Sequence, residues 1–233
     1  MKKITITLLI IILCVSNLFA QNITIDLQSG IGNYRMSSME KFNTSITLPF
    51  ATKVVSNFPS RSYIKPSLYF SFNNHAVGAT YSFQSTGSRI SRVDYSGNYN
   101  IDMIVNAHSI GLLYKGRLAK QKWVDINLKS EIGVVLSDLT IKENLSISSQ
   151  QLINSNEKFN SFNYYIQPGL NVSRSIKRFV IGLDIAYYLQ VGSIGFHHAE
   201  SRHTKLVNPD SDEEVYPNWS GFRLGISVGA RLF

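Results

Sequence analysis

Apolar and polar residues alternate along eight stretches of this chain. In the last stretch, for example, Phe222, Leu224 and Ile226 alternate with Arg223 and Gly225. Strand side chains point alternately to the two faces of a sheet, so this period predicts strands, and no stretch sustains a helical period. The predicted strands lie near residues 23–31, 63–72, 76–84, 110–118, 124–134, 163–173, 179–190 and 221–233. We therefore predict an all-β fold.

The connections between these strands alternate in length. Three of them are hairpin-sized, near residues 73–75, 119–122 and 175–178. The other four are long and polar, near residues 35–62, 85–101, 137–160 and 191–218. Short turns at one end and long loops at the other are typical of an up-and-down meander. The sequence predicts an eight-stranded antiparallel barrel with short periplasmic turns and four long extracellular loops, and ten strands stay an alternative.

Strand length and aromatic placement favour a membrane as the surroundings of this barrel. A bilayer-spanning strand needs about ten residues, and aromatic residues ring both interfaces of such barrels. The aromatic residues at the turn end are Phe72, Tyr114, Trp123, Phe179 and Phe233, and those at the loop end are Tyr81, Phe83, Tyr164, Tyr187, Trp219 and Phe222. The alternative is a periplasmic β-sandwich, in which the same apolar faces would form the core.

The amino terminus has the layout of a secretory signal peptide. Lys2 and Lys3 precede an apolar run that is short for a membrane-spanning helix, and Ala20 is a small residue suited to cleavage. We predict a cleaved signal at 1–20 and a barrel domain at 21–233. The formal charge of +8 is spread along the chain without clusters, which argues against nucleic acid as a partner.

The signal, the eight-strand meander and the terminal Phe233 resemble the small outer-membrane β-barrel proteins of Gram-negative bacteria, of the OmpA/OmpX transmembrane type. The resemblance covers the chain after the signal, and it implies a monomer in outer-membrane lipid. It also implies that the final strand, ending in Phe233, is read by the barrel-assembly machinery. Pro66 and Pro168 interrupt predicted strands, and we expect local bulges there because proline lacks a backbone N–H.

Ten charged residues lie on the inward face of the predicted strands. They are Asp26, Lys65, Lys115, Arg117, Asp125, Lys129, Glu131, Asp184, Arg223 and Arg231. An eight-stranded barrel is just wide enough for its side chains to fill it, so these charges should pair across strands. We expect Lys115 and Arg117 to face Asp125, and Arg231 to meet Asp26. A salt-bridged plug is favoured over a selective channel.

One loop carries residues that are able to bind a metal ion. His197, His198, Glu200 and His203 lie within seven residues, and imidazoles with a carboxylate can hold a transition metal. Nothing in the spacing fixes a coordination geometry, so these residues are only weak candidates, and no metal or cofactor is predicted.

Some small outer-membrane barrels modify lipids, but the His-x-Ser pair of the lipid A deacylases is missing from this chain. We expect a non-enzymatic protein that contacts an extracellular ligand through its loops, chiefly 35–62 and 191–218. The alternatives are passive transport of small solutes and a lipid-modifying enzyme.

Overall fold

The computed structural model describes residues 23–47, 53–95, 97–147, 150–201 and 203–232. The predicted signal peptide at 1–20 and the terminal Phe233 lie outside them. The described residues form ten strands and one helix, which are β1 (Ile23–Gly32), α1 (Ser37–Thr47), β2 (Lys53–Asn57), β3 (Arg61–Phe72), β4 (His75–Asp94), β5 (Gly97–Lys120), β6 (Asp125–Ile147), β7 (Gln150–Ile176), β8 (Phe179–Val191), β9 (His197–His198) and β10 (Gly221–Arg231).

Eight of these strands form a closed antiparallel ring. The order around the ring is β4, β3, β1, β10, β8, β7, β6 and β5, and pairing of β5 with β4 completes it. The first and last strands of the chain are neighbours, with Ile25 opposite Ala230 and Ile31 opposite Leu224. The prediction of an eight-stranded up-and-down barrel is confirmed. Strands β2 and β9 lie outside the ring and pair with β4 and β7.

Short turns connect the strands at one end of the barrel. Asn73 and Lys177 have φ values of 51° and 55° in the β3–β4 and β7–β8 turns. The β5–β6 turn is closed by a 2.9 Å hydrogen bond from the N–H of Gln121 to the carbonyl of Val124. These three turns lie where the sequence predicted them, and we call this end of the barrel the turn end.

The connections predicted at 85–101 and 137–160 are strands rather than loops. β4 and β5 pair without interruption up to Asp94 and Gly97, and β6 and β7 pair up to Ile147 and Gln150. The prediction failed because the apolar residues change face partway along each strand. On β6, Ile132 and Leu136 point outward and are exposed, whereas Val135 and Leu139 point inward and are fully buried.

The segment predicted as the loop 35–62 contains helix α1 and strand β2. The helix places Met39 and Phe42 on one buried face, at the spacing of three residues that brings helical side chains together, and Met36, just before the helix, is buried beside them. Asn43 beside them is also buried, and its Nδ2 donates to Ser88 Oγ at 2.6 Å. The apolar face covers fewer than three turns, too short a stretch to register as a sustained helical period in the sequence.

The bulges predicted at Pro66 and Pro168 are absent. The register of β3 against β4 is the same on both sides of Pro66, and that of β7 against β8 is the same on both sides of Pro168. Cα pairing is simply interrupted at the proline and the residue before it. Each strand therefore keeps its inward and outward faces past the proline.

No helix among the residues described here has the length and hydropathy to cross a membrane.

Candidate functional site

The outer wall of the ring carries a continuous apolar band. On β10 the outward residues Phe222, Leu224, Ile226 and Val228 are all more than half exposed. From Phe222 to Ala230 the strand rises roughly 20–25 Å along the axis of a barrel with tilted strands, close to the apolar height of a membrane barrel. Exposing such a band to water would be strongly unfavourable in free energy, whereas contact with lipid hydrocarbon would not.

Aromatic residues border the band at both ends. Trp123 and Phe179 are exposed at the turn end, and Tyr164 and Phe222 at the opposite end. Trp219, predicted to belong to the second border, is fully buried inside the barrel instead. Its ring packs edge-on against Tyr34, and its Nε1 donates to Ser137 Oγ at 2.9 Å. It precedes β10, so strand alternation did not determine its direction.

A buried ion cluster fills the middle of the barrel. Lys65 Nζ donates to Glu131 Oε1 at 2.7 Å, and Lys129 Nζ donates to Asp184 Oδ1 at 2.9 Å. Lys129 also lies 3.8 Å from Glu131 and donates to Gln28 Oε1 at 3.0 Å. All five side chains are almost completely buried, which is the arrangement expected of a plug.

The Arg223 guanidinium forms the next layer, on the side away from the turn end. It donates to Gln167 Oε1 at 3.2 Å and to Gln84 Oε1 at 2.5 Å. Its Cζ atom lies 3.8 Å from the ring centre of Tyr188 and 5.2 Å from that of Tyr63. Arg223 thus balances its charge with amide oxygens and aromatic faces, without a carboxylate in contact among the residues described.

Beyond Arg223 the interior becomes apolar. Buried side chains from α1, β5, β6, β7 and the β8–β10 connection pack together there, including Met39, Phe42, Val105, Leu139 and Trp219. Strand alternation marks the inward positions on β5 and β6, but it could not indicate that α1 closes this half of the barrel. The polar middle and this apolar core together close the lumen.

The remaining predicted charges lie near the turn end. Arg117 Nε lies 3.7 Å from Asp125 Oδ1, as expected from the β5–β6 turn. Lys115, expected to face the same carboxylate, lines the same polar cavity as Asp125, and its Nζ lies 5.6 Å from the ring centre of Tyr69. The sequence placed these residues at the correct level.

The predicted contact between Arg231 and Asp26 is not formed. Arg231 lies opposite Thr24 in the strand register, and its Nη2 donates to Ser175 Oγ at 2.8 Å. Asp26 is buried one layer further in, opposite Gly229. Adjacency of β1 and β10 was predicted correctly, but the long arginine side chain extends across β8 towards β7.

Strands β4 to β7 continue well beyond the apolar band. β5, β6 and β7 have 24, 23 and 27 residues, against the ten or so that a bilayer requires. At the rise of a tilted strand the excess projects roughly 30 Å. We call this part of β2, β4, β5, β6 and β7, with α1 on its inner side, the extension. Burial and the hydrogen bond with Glu143 raise the pKa of Tyr99 in the extension.

Among the described strands, one edge of the extension is unpaired. Strand β7 is covered by β9 at Phe159 and Asn160, and from Gln150 to Glu157 no described strand pairs with its outer side. Exposed apolar residues cluster at the tips of the two hairpins, namely Val93, Tyr95, Ile147, Leu152 and Ile153. Open edges with apolar side chains favour pairing with another chain.

The four weak metal candidates do not converge. His198 Nε2 lies 2.9 Å from Glu157 Oε2, and its Nδ1 accepts a hydrogen bond from the N–H of Glu200. In the part of the chain the structure describes, no three His, Cys, Asp or Glu side chains come close enough to hold a metal ion. His197, although adjacent, pairs with Asn160 of β7 through its backbone, and His203 joins no such group.

One histidine faces the outer border of the band. His108 Nδ1 lies 2.7 Å from Tyr81 Oη, and its Nε2 lies 3.9 Å from Asp138 Oδ2. The neighbouring Ser109 points inward and hydrogen-bonds to Tyr188. A Ser–His pair of the hydrolase type is therefore not formed by residues 108 and 109.

The closed ring, the outward apolar band and the polar middle define a transmembrane β-barrel. Searches with the sequence found no matching family model and no matching curated protein.

Solved structures with a similar fold include three barrels. They are the attachment invasion locus protein Ail of Yersinia pestis (14% identity, TM-score 0.41, 90% of this chain and 99% of that one), Neisserial surface protein A (11%, 0.37, 90% and 96%) and the outer membrane protease OmpT of Escherichia coli (11%, 0.43, 91% and 97%).

Proposed function

We propose that this chain is a bacterial outer-membrane protein that uses its barrel as an anchor and its extension to contact a partner outside the cell. The observation that carries the proposal is the edge of β7 beyond the apolar band, which no described strand covers between Gln150 and Glu157. Strand addition to an exposed edge is a common mode of peptide recognition, because the main chain supplies the hydrogen bonds. The predicted signal peptide agrees with this location.

We assign contact with the partner to the hairpin tips, in preference to the two loops that the sequence favoured. Much of segment 35–62 folds inward as α1, and segment 191–218 also turns apolar residues such as Phe196 and Val215 inward. The tips instead present Leu152 and Tyr95 to solvent. Exposed apolar groups on a rigid element lose little conformational entropy when they bind.

Binding to whole cells tests this role. Cells displaying the chain are incubated with fluorescently labelled serum and matrix proteins, beside cells displaying the Leu152→Ser/Ile153→Ser variant. A matched control changes Lys120 and Lys122 to Ser at the turn end. We expect the fluorescence bound by the tip variant to be at least fivefold lower than that of the wild type, and that of the control to be unchanged. Equal fluorescence from all three, or none from the wild type, would argue against contact with an extracellular partner through the hairpin tips.

The two alternatives make separate predictions. As a passive transporter the chain would need a water path past Lys129 and Arg223, and the burial of both side chains argues against one. As a lipid-modifying enzyme it would change the mass of lipid A in cells that express it. We expect the lipid A mass spectrum to be the same with and without expression, and a new lipid A species would favour the enzyme instead.

A further inference from the structure

A polar cavity opens at the turn end of the barrel, opposite the extension. Its volume is about 60 Å³. Buried residues such as Thr24, Tyr69 and Asn127 lie at its inner side, and the exposed Asn73 and Asn74 of the β3–β4 turn lie at its mouth. The cavity is therefore accessible to solutes from the turn side, while the ion cluster closes it towards the middle of the barrel.

The cavity carries an excess of positive charge. Lys115, Arg117 and Arg231 line it, against a single carboxylate, Asp125. That carboxylate lies beside Arg117, at 3.7 Å. Lys115 and Arg231 have no carboxylate within 4 Å among the described residues, and Asp26 does not line the cavity.

The two cations without a carboxylate are held towards the cavity by weak contacts. Lys115 Nζ faces the Tyr69 ring at 5.6 Å, and Arg231 donates through Nη2 to Ser175 Oγ at 2.8 Å. Arg117 Nε is buried and has no hydrogen-bond partner in the described part of the chain. The ammonium and guanidinium groups therefore keep donors available, and the hydroxyl of Ser173 lines the same cavity.

The size of the cavity matches a small oxyanion. One water occupies about 10–15 Å³ of such volume, so the cavity holds roughly four to six waters or one tetrahedral ion of five heavy atoms. Ammonium and guanidinium groups form their strongest hydrogen bonds with oxyanions such as phosphate and carboxylate. A partly enclosed site strengthens these contacts, because screening by solvent is reduced.

We propose that this cavity is a binding site for a small oxyanion of the phosphate class, with Lys115 and Arg231 as its principal ligands. The site faces the compartment on the turn side, which is the periplasm in an outer-membrane barrel. It is independent of the contact surface proposed for the extension, since the filled middle of the barrel separates the two.

Calorimetric titration of the purified chain in detergent tests the site. Inorganic phosphate is titrated at low ionic strength into the wild type, Lys115→Gln, Arg231→Gln and the control Lys120→Gln. The control removes one positive charge from an exposed position at the same end of the barrel, outside the cavity lining. Glycerol 3-phosphate, titrated in parallel, distinguishes an esterified phosphate from the free ion. The mobility of unboiled samples on SDS gels shows which variants are folded.

We expect saturable phosphate binding by the wild type and the Lys120→Gln control, and at least tenfold weaker binding by each cavity variant. Tighter binding of glycerol 3-phosphate than of phosphate would identify an esterified ligand, and the reverse would identify the free ion. Absence of saturable binding by the wild type overturns the proposal. So does equal affinity in every folded variant. If Lys115→Gln does not fold, Arg231→Gln decides alone, because its side chain is exposed at the rim.

Discussion

The Glu131 carboxylate lies near two lysines inside the barrel: its Oε1 is 2.7 Å from Lys65 Nζ and 3.8 Å from Lys129 Nζ. Lys65 is on β3 and Glu131 on β6, and these strands are not neighbours in the ring. The pair therefore crosses the lumen instead of joining adjacent strands. The Glu131 carboxylate is almost completely removed from water. Its ion-pair partners must therefore offset the free-energy cost of burying its charge.

Neutralising Glu131 should destabilise the barrel strongly. In Glu131→Gln the shape is kept, but Lys65 and Lys129 lose a carboxylate in a buried site, which typically costs about 3–5 kcal/mol. Urea unfolding in detergent measures the change. The matched control is Asp102→Asn, the same chemical change on the more exposed Arg89–Asp102 pair, where the loss should be at most about 1 kcal/mol. Equal losses would mean that the central cluster is hydrated.

At this scale the sequence predicted which residues point inward but not which residues meet. Strand alternation indicates the inward direction of Asp26, Lys65 and Glu131 because the period is two along each strand. It carries no information on contacts across the lumen, which depend on strand tilt and stagger. The predicted Arg231–Asp26 pair failed for a different reason: β1 and β10 are neighbours, but Arg231 lies opposite Thr24, one layer away from Asp26. The Arg117–Asp125 pair was predicted correctly across a short turn.

Strand β6 changes character along its length. Apart from Ser130, its outward residues are apolar up to Leu136 and polar from Asp138 onwards. Its inward residues change from Lys129 and Glu131 to Val135 and Leu139. The outer border of the membrane therefore falls near Leu136. The hydrophobic pattern predicts the end of the strand near this point, because a strand that changes its apolar face loses the single-sided alternation.

Two leucines on β6 test this reversal. Leu139 is fully buried in the core of the extension, whereas Leu136 is 43% exposed on the outer wall. We expect Leu139→Ala to lower stability by about 2–5 kcal/mol through the cavity it leaves, and Leu136→Ala by less than half as much. Urea unfolding in detergent micelles compares them. Equal effects would contradict the assignment of inner and outer faces.

Helix α1 is held to the extension by its buried apolar face. The Met39→Ala substitution should loosen the helix without opening the ring, because Met39 is not part of any of the eight ring strands. Trypsin should then cleave at the exposed Lys41 faster than in the wild type. Thr44→Ala, on the exposed face of the same helix, should leave the cleavage rate unchanged. A barrel that unfolds as a whole in Met39→Ala would show that α1 is needed for closure.

At the scale of the whole molecule, buried side chains occupy the lumen at two levels of the described structure. The ion cluster fills the middle, and the apolar core with α1 and Trp219 fills the half beyond it. The alternation of apolar and polar residues, with a period of two, predicted both the barrel and its inward-facing charges. It could not predict the second level, because α1 and Trp219 lie in connections that have no such period.

Planar bilayers test this closure. We expect the wild-type chain to insert without producing conductance steps, since ions would have to displace Lys129 and Asp184 from each other. Discrete, reproducible steps would show a water path and would favour the transport alternative.

The mobility of the membrane fraction on cold SDS gels tests the central claim, a closed barrel embedded in lipid. Washed membranes containing the chain are loaded boiled and unboiled. A closed barrel retains its hydrogen-bonded ring in cold SDS, so we expect the chain to stay in the membranes and the unboiled sample to migrate differently from the boiled one. Release of the chain by osmotic shock, with one mobility in both samples, would contradict the account and identify the apolar band as the core of a soluble sandwich.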